Sequence, residues 1–320
     1  MTNIKKIGLT ALAGTLASFS ANAGEVSVSG VAQMTFSTDS DATSSTLVNS
    51  TDKFETNSSL TFSGSGELDN GFGVSIVSNL TGGAQTYNHM ALDMGDMGTL
   101  SMSDGISFST GIASIRDKTP TAGEQVWDDT NADDHGKPAQ GIVNPIRDNT
   151  DKTQLGYKLS ASGFTFSSHA AFGDGNGTEY SGTISVDGLV DGLEVGAGLG
   201  NNWTADTTEE DLETYYVKYA TGPVTVGAQR SNIDRTAATT DIETTTYGIS
   251  FAVNENLSVS YGISDTDFEA SSSDEENEGI SASYTAGGAT IGFVHNTKDN
   301  AGGTANADHE TTELKLTFAF

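Results

Sequence analysis

Residues 215–228 have the sequence YYVKYATGPVTVGA, in which two alternating segments flank a short turn. Every second residue of both segments is apolar or aromatic, while Lys218 lies on the opposite face of the first segment. A period of two predicts β-strands that each have one apolar and one polar face. Gly222-Pro223 predicts the turn between them, so the stretch predicts a β-hairpin.

The same period extends from Glu25 to the last residue, Phe320, and predicts about 16 strands. The connections between them alternate in length. Odd connections, beginning with 37–53, are long, polar and acidic, whereas even ones, beginning with Asp69–Gly71, are tight turns. This alternation predicts a closed antiparallel transmembrane β-barrel with short periplasmic turns and long extracellular loops. A soluble β-sandwich or solenoid has no reason to sort its connections in this way.

The composition is compatible with two classes of protein. The net charge is −29, the hydrophobic content is 35% and cysteine is absent. Such a chain is either a partly disordered acidic secreted protein or a barrel with apolar residues toward lipid and a polar lumen. With about 16 strands the lumen is too wide to be filled by side chains, so we expect the polar face to line it. The acidic balance argues against nucleic acid as a partner.

Residues 1–23 have the organisation of a cleaved signal peptide. Lys5 and Lys6 precede an apolar stretch at residues 7–19, and Ala21-Asn22-Ala23 supplies a small-residue cleavage site. The apolar stretch is shorter than the ~20 residues that span a bilayer. We therefore expect an exported domain at residues 24–320.

The longest interruption of the strand pattern is 104–152, which contains three of the four prolines. A connection of this length inside a compact domain is usually functional. We expect it to fold into the lumen as a constriction loop, where fixed charges select ions by sign. The candidate loop acids are Asp117, Glu124, Asp128, Asp129, Asp133 and Asp134. The candidate basic residues on the pore wall or in loop anchors are Lys53, Arg116, Arg147, Lys158 and Lys218. The acidic excess predicts a mild cation preference.

Other chemistry is weakly indicated. The acids at 128–134 and 274–278 are dense enough to bind Ca²⁺, but neither segment has the spacing of a known calcium loop, so we favour solvated surface acids. The five histidines are scattered and form no recognisable nucleophile or metal motif. We therefore expect no enzymatic activity, although a Ser–His pair on the wall would not be visible in the sequence.

The chain ends in LKLTFAF at residues 314–320. This alternating terminal strand, with Phe318 and Phe320, resembles the C-terminal signal that the insertion machinery of Gram-negative outer membranes recognises. Together with the signal peptide and the sorted connections, it makes the chain similar to the general diffusion porins. The resemblance covers about residues 24–320, and it concerns the pattern rather than individual motifs.

The resemblance implies a 16-stranded barrel in the outer membrane of a Gram-negative bacterium, with a homotrimer as the usual assembly. It also implies that the third loop narrows the channel, and 104–152 is the third long connection here. The implied function is passive diffusion of ions and small hydrophilic solutes. An acidic secreted adhesin or surface-layer protein and a solute-specific outer-membrane channel remain alternatives.

Overall fold

A computed structural model describes residues 26–43, 46–104, 110–126, 153–172, 178–205, 208–236 and 240–320. Their strands form one closed antiparallel barrel of 16 strands, in which each strand pairs with its neighbours in sequence and β1 pairs with β16. The predicted fold class is therefore confirmed. The predicted signal peptide, residues 1–23, lies outside the described residues.

The strands follow the chain order. They are β1 Ser27–Thr43, β2 Thr46–Glu67, β3 Gly73–Thr81, β4 Ala84–Asp93, β5 Thr99–Asp104, β6 Thr153–Ala161, β7 Phe164–Phe172 and β8 Glu179–Asp187, followed by β9 Leu193–Ala205, β10 Thr208–Thr221, β11 Val224–Arg235, β12 Ile242–Ala252, β13 Leu257–Phe268, β14 Glu275–Ala286, β15 Ala289–Asp299 and β16 Ala307–Ala319. Short 3₁₀ helices occur at Gly95–Met97, Ile112–Ile115 and Ala301–Gly303. Among the described residues, no helix has the length and apolar character needed to cross a membrane.

The two faces of the barrel wall follow the period of two seen in the sequence. On β10, Tyr215 is 46% exposed on the outer face, whereas its neighbour Tyr216 is 5% exposed and points inward. The opposing strands keep this parity, because Tyr215 pairs with Ala197 on β9 and with Arg230 on β11. Successive strand residues point to opposite faces, so the apolar rows form the outer surface and the polar rows line the lumen.

Some connections at one rim are shorter in the structure than the sequence predicts. β1 continues to Thr43 and β2 begins at Thr46, so most of the segment 37–53 is strand. Likewise, β3 ends at Thr81 and β4 begins at Ala84. These polar segments are rich in Ser and Thr, and their backbones continue the ladder beyond the apolar rows, as in the pair of Asp39 with Thr51. Polarity therefore marks the end of the apolar band and not the end of the strand.

We name the two ends of the barrel by their connections. The turn rim holds the even connections, such as 162–163, 222–223 and 287–288, together with the C-terminus. The loop rim holds the odd connections, and the longest of them runs from the end of β5 at Asp104 to the start of β6 at Thr153. The described residues of this long connection extend along the inner wall of the barrel.

Candidate functional site

Residues 110–126, here called the belt, lie against the inner wall of the barrel. The belt enters at β7 and β8, where the backbone N–H of Gly111 donates to Ser167 Oγ at 2.8 Å and that of Ile112 donates to Ser181 Oγ at 3.0 Å. The side chains of Ser167 and Ser181 face inward because of strand parity. Two wall hydroxyls thus accept hydrogen bonds from backbone N–H groups of the belt, which is not part of the sheet. Buried polar groups need such hydrogen-bond partners.

An apolar cluster anchors the start of the belt. Ile112 is 0% exposed, and it packs with Leu212 of β10 and Ile233 of β11. Ala113 of the belt, Ile242 of β12 and Phe268 of β13 complete the cluster. Leu212 and Ile233 are apolar residues on an inner face that is mostly polar. Burial of side chains of this size contributes roughly 1.5–3 kcal/mol each, so this cluster is a strong local attachment.

Gln229 on β11 is the polar counterpart of that anchor. Its Nε2 donates to the carbonyl oxygens of Ile115 at 2.8 Å and Arg116 at 3.1 Å. Its Oε1 accepts a hydrogen bond of 2.7 Å from the backbone N–H of Lys118. One side chain therefore satisfies a donor and two acceptors of the belt backbone, and its Nε2 also lies 2.9 Å from Thr214 Oγ1 on β10.

Hydroxyl groups hold the second half of the belt. Thr119 Oγ1 lies 2.7 Å from Thr246 Oγ1 on β12, and the backbone N–H of Ala122 donates to Ser260 Oγ on β13 at 2.9 Å. On β15, Asn296 Nδ2 donates to the carbonyl of Gln125 at 3.2 Å. The belt therefore contacts the inner wall from β7 around to β15.

Two clusters of charges join the belt to the wall. In the first, Glu194 on β9 accepts a hydrogen bond of 2.7 Å from the Tyr216 hydroxyl. Lys218 Nζ lies 2.6 Å from Glu194 Oε2, and Lys118 Nζ of the belt lies 3.7 Å from Glu194 Oε1. Lys118 Nζ also lies 5.4 Å from the centre of the Tyr216 ring, within the range of a cation–π contact. This cluster contains two ammonium groups and one carboxylate.

The second cluster lies at the far end of the belt. Glu124 pairs with Lys315 on β16. Lys315 Nζ is also 2.9 Å from Glu313 Oε1 on the same strand, and Glu313 is buried. This cluster contains two carboxylates and one ammonium group. The belt is thus tied by an ion pair at its middle, through Lys118, and by another near its end, through Glu124, with opposite local charge balance at the two attachments.

The predicted site residues fall into three groups. Lys158 and Lys218 occupy inner-face positions, opposite Thr99 on β5 and Glu194 on β9 respectively. Lys53 also faces inward and lies 2.8 Å from Glu55. In the belt, Asp117 Oδ1 accepts a hydrogen bond of 2.7 Å from Gln125, and Arg116 contributes its carbonyl to Gln229. The remaining predicted residues, Asp128, Asp129, Asp133, Asp134 and Arg147, lie outside the described residues.

Sequence reasoning missed several residues of this site. Glu194, Gln229 and Tyr216 lie on the polar face of their strands, but nothing in a single sequence distinguishes them from other inward-facing residues. Leu212 and Ile233 did carry a signal, since each is an apolar residue with polar neighbours in the sequence. Lys315 on β16 binds Glu124 of the belt, a contact between two residues far apart in the sequence.

Basic residues are concentrated inside the barrel. Nine of the 14 Lys and Arg residues lie in the described part of the chain, and eight of these nine are on the inner face or the belt. They are Lys53, Arg116, Lys118, Lys158, Lys218, Arg235, Lys298 and Lys315. Arg230, the ninth, is on the outer face, where it pairs with Glu243.

Acidic residues are divided between the two faces. Outer-face acids toward the loop rim include Glu213, Glu243, Asp265, Glu278 and Glu310, as the strand register places them in line with the apolar rows. Because eight of the nine basic residues in the described ranges are inside, the described part of the lumen is much less acidic than the whole chain. The net charge of −29 therefore does not describe the pore.

The barrel closes at the C-terminus. The Gly30 N–H donates to the Phe320 carbonyl at 2.7 Å, and the Phe320 N–H donates to the Gly30 carbonyl at 3.0 Å. The Phe320 ring lies over Gly30, in space that a side chain at Gly30 would occupy. Phe318 lies on the outer face, opposite Ala32 of β1 and Ala289 of β15.

A metal centre is not indicated by the described side chains. Within the ranges that the structure describes, no group of three or more His, Cys, Asp or Glu residues is arranged to hold a metal ion. In the acid-rich segment 274–278, Glu275 is buried and accepts hydrogen bonds from Asn277 and Gly302. The other segment considered for Ca²⁺, 128–134, lies outside the described residues.

Comparison with known proteins gives one family match and many structural matches. The family model described as Gram-negative porin matches residues 8–303. No curated protein matches the sequence. The solved structures that resemble the barrel include an anion-selective porin from Comamonas acidovorans, with a TM-score of 0.69, 15% identity, and coverage of 92% of this chain and 100% of that one.

Two further porin structures match over the same shares of both chains. One is described as a porin refined at 1.8 Å resolution, with a TM-score of 0.65 and 17% identity. The other is a triple mutant of the Rhodopseudomonas blastica porin, with a TM-score of 0.64 and 15% identity. Structural matches at identities this low show a common fold alone. The family model, in contrast, matches the sequence itself over most of its length.

Proposed function

Because the chain belongs to the Gram-negative porin family, we propose that it is a passive outer-membrane channel for ions and small hydrophilic solutes, with the belt as part of its constriction. The observation that carries this proposal is the path of the belt. A connection between two strands folds back inside a closed barrel and is tied to the inner wall from β7 to β16. A barrel of this strand number has a wide lumen, and the belt reduces its cross-section.

The surface on the turn-rim side of the belt suits hydrophilic solutes. A cavity of about 360 Å³ lies there, between the belt residues Thr121 and Ala122 and the turns near Pro223 and Glu255. Hydroxyl-bearing side chains from four adjacent strands line it: Thr225, Ser250, Ser258 and Ser283. Hydroxyl groups both donate and accept hydrogen bonds, so they replace water around a polar solute without selecting a charge.

The ion selectivity that we propose is weak and is set by the charges at the constriction. The mild cation preference expected from the net charge is not supported, because the basic residues are concentrated in the lumen and many acids lie outside it. Moreover, one of the similar structures is described as an anion-selective porin. We retain Asp128, Asp129, Asp133 and Asp134 as proposed pore-facing acids of the same loop, and Lys158 and Lys218 as proposed wall residues.

Planar-bilayer recording tests this function. The purified mature protein is expected to produce discrete, ohmic conductance steps, and a salt gradient is expected to give a small reversal potential. Liposome swelling with sugars of increasing size is expected to give a size cut-off. A protein that folds, as judged by heat-modifiable migration on a gel, yet gives neither conductance steps nor swelling would overturn the proposal.

We also propose that the protein is exported by its predicted signal peptide, inserted by the barrel-assembly machinery through its C-terminal strand, and assembled as a homotrimer. The outer face of β2–β5 favours that region as the interface, since it contains an apolar depression of about 640 Å³ lined by residues such as Gly64, Ile76, Met90 and Met102. The acidic outer face of β12–β16 disfavours self-association by like-charge repulsion. Cross-linking in detergent, comparing cysteine pairs introduced on these two faces, tests the assignment.

A further inference from the structure

We propose that five glycines of the inner wall set the distance between the belt and the wall, and thereby the bore of the pore; this inference rests on the proposed channel function. They are Gly156 on β6, Gly198 on β9, Gly227 on β11, Gly248 on β12 and Gly262 on β13. All five belong to the inward-facing rows, since each is two residues from another inward side chain such as Gln229 or Thr246.

Glycine inside a strand needs a reason, because it weakens the strand and offers no side chain to pack. Backbone conformation does not explain why glycine occupies these positions, since none of the five has a positive φ. What the five glycines share is that the belt lies next to each of them on the lumen side. At each position, the nearest heavy atom to an added Cβ belongs to the belt.

Pro120 gives the clearest case. A Cβ at Gly227 would lie 2.7 Å from Pro120 Cδ, and a Cβ at Gly248 would lie 2.7 Å from the Pro120 carbonyl oxygen and 2.5 Å from Thr119 Cγ2. Real Cβ atoms essentially never approach other heavy atoms closer than 3.0 Å. The proline ring and the backbone carbonyl cannot rotate away as the end of a flexible side chain can, so the backbone of the belt itself would have to move.

The other three glycines extend the same surface along the belt. A Cβ at Gly156 would overlap Thr110, one at Gly198 would lie 2.9 Å from Ile115 Cδ1, and one at Gly262 would lie 3.0 Å from Val126 Cγ1. These contacts end on side-chain atoms, so they are softer than those with Pro120. The belt is therefore seated closely from its first residues to its last.

Inward-facing glycines away from the belt differ from these five. Where one of them is crowded, as at Gly196, Gly200 and Gly279, the nearest heavy atom to an added Cβ belongs to another wall residue and not to the belt. Gly292 on β15 also faces inward, but a Cβ there would have its nearest neighbour, Lys315 Cβ, at 3.8 Å. Gly182 faces outward, with the nearest atom at 3.9 Å. Both have room for a methyl group, so overlap with the belt is a property of the five positions named above and not of wall glycines in general.

The direction of movement follows from how the two parts are held. Gly248 lies in a strand paired on both sides, opposite Gly227 on β11 and Gly262 on β13. The belt has no such ladder and is attached by single side-chain contacts. A methyl group between them therefore displaces the belt toward the lumen, which narrows the pore.

The test compares single-channel conductance and the sugar size cut-off of G227A, G248A and G262A with those of G292A, which adds the same methyl group to an inward-facing wall glycine. G227A and G248A are expected to lose roughly a quarter or more of the conductance, since overpacking displaces the less constrained partner, and G262A is expected to lose less. G292A is expected to match the wild type. In the double variant G227A/P120A, removal of Cδ is expected to restore conductance.

The outcomes separate this inference from the proposed function. A wild-type protein without conductance would overturn the function itself. If the wild type conducts, and G227A, G248A and G262A all fold and are indistinguishable from G292A, the role of the five glycines is overturned while the proposed channel function stands. If G248A fails to assemble, G262A and the rescue of G227A by P120A decide the question, because both rest on smaller overlaps. Loss of conductance in G227A without rescue would also contradict the inference.

Discussion

Lys218 Nζ on β10 lies 2.6 Å from Glu194 Oε2 on β9, and Lys118 of the belt approaches the same carboxylate at 3.7 Å. Glu194 is thus shared between the wall and the constriction. The three side chains are partly exposed to the lumen, where solvent screening makes such pairs weak contributors to stability. Their effect on the field within the pore is therefore more important than their effect on folding.

The first prediction concerns ion selectivity. Replacing Glu194 with Gln leaves two lysines without their shared carboxylate, so the anion-to-cation permeability ratio is expected to rise about twofold, because charges in a narrow pore are incompletely screened. The measurement is the reversal potential in a salt gradient at about 0.1 M, where the Debye length is ~10 Å. Glu213→Gln removes an equivalent charge from the outer face and serves as the control. Equal shifts in both variants would contradict a local effect.

A second prediction concerns the attachment of the belt by Gln229. Gln229→Ala removes three hydrogen bonds to the belt backbone. At about 0.5–1.5 kcal/mol for each bond, the attachment weakens enough for the belt to fluctuate. We expect more current noise and more frequent transient closures in single-channel records.

The control for this variant is Gln33→Ala, which changes an inward amide on β1 whose described side-chain bond is to Thr317 on β16. Gln229→Glu is a second comparison, because it keeps the shape of the side chain but loses the donor to Ile115 and Arg116. Quiet channels in Gln229→Ala would show that the remaining contacts are sufficient to hold the belt.

A third prediction concerns the apolar anchor inside the barrel. Ile233 is 1% exposed and packs in the cluster that buries Ile112. Ile233→Ala is expected to lower the free energy of unfolding by about 2–4 kcal/mol through loss of burial and creation of a cavity. Reversible urea unfolding in lipid vesicles measures this change.

The matched control for the anchor is Ile249→Ala on β12. Ile249 is on the outer face and is 43% exposed, so in the membrane its partner is lipid and a smaller loss is expected. If the outer-face variant were as destabilised as Ile233→Ala, the inner cluster would have no special role in holding the belt.

A fourth prediction concerns closure of the barrel. A methyl group at Gly30 would overlap the Phe320 ring, whereas a methyl group at Gly64, also on the outer face, would have its nearest neighbour at 3.6 Å. Gly30→Ala is therefore expected to slow assembly, because the terminal ring must move where β1 meets the C-terminus. The rate at which the heat-modifiable form appears during folding into vesicles measures this effect.

Gly64→Ala is expected to fold at the wild-type rate. A double variant, Gly30→Ala with Phe320→Ala, removes the clash but also the terminal aromatic ring. If the double variant folds more slowly than Phe320→Ala alone, or if Gly30→Ala folds as fast as Gly64→Ala, then contact between Gly30 and Phe320 does not limit closure.

Much of the architecture was predictable because the alternation of apolar and polar residues along a strand indicates which side chains face outward and which face the lumen. The alternation of Tyr215, Val217 and Tyr219 with Tyr216 and Lys218 correctly assigned the outer and inner faces of β10. The number of strands followed from repetition of the same pattern. Strand ends were predicted less well, since the Ser- and Thr-rich segments after Phe36 and before Phe54 stay paired although their outer faces are no longer apolar.

The site was less predictable, because its contacts join residues far apart in the chain. Glu124 and Lys315 are separated by 191 positions, and Lys118 and Gln229 by 111. Neither pair has a local signature. The net charge was misleading for the same reason: it counts acids on the outer face together with those in the lumen, although only the latter act on a permeating ion.

By itself, the sequence determined that this chain forms strands with one apolar and one polar face, that the strands close into a wide barrel, and that one connection is too long to be a turn. These properties depend on local period and on length. Only the tertiary structure decided where that connection lies, which wall residues hold it and which charges face the lumen, because these depend on curvature and register summed over 16 strands. A pore is a property of the closed wall, and no single strand contains it.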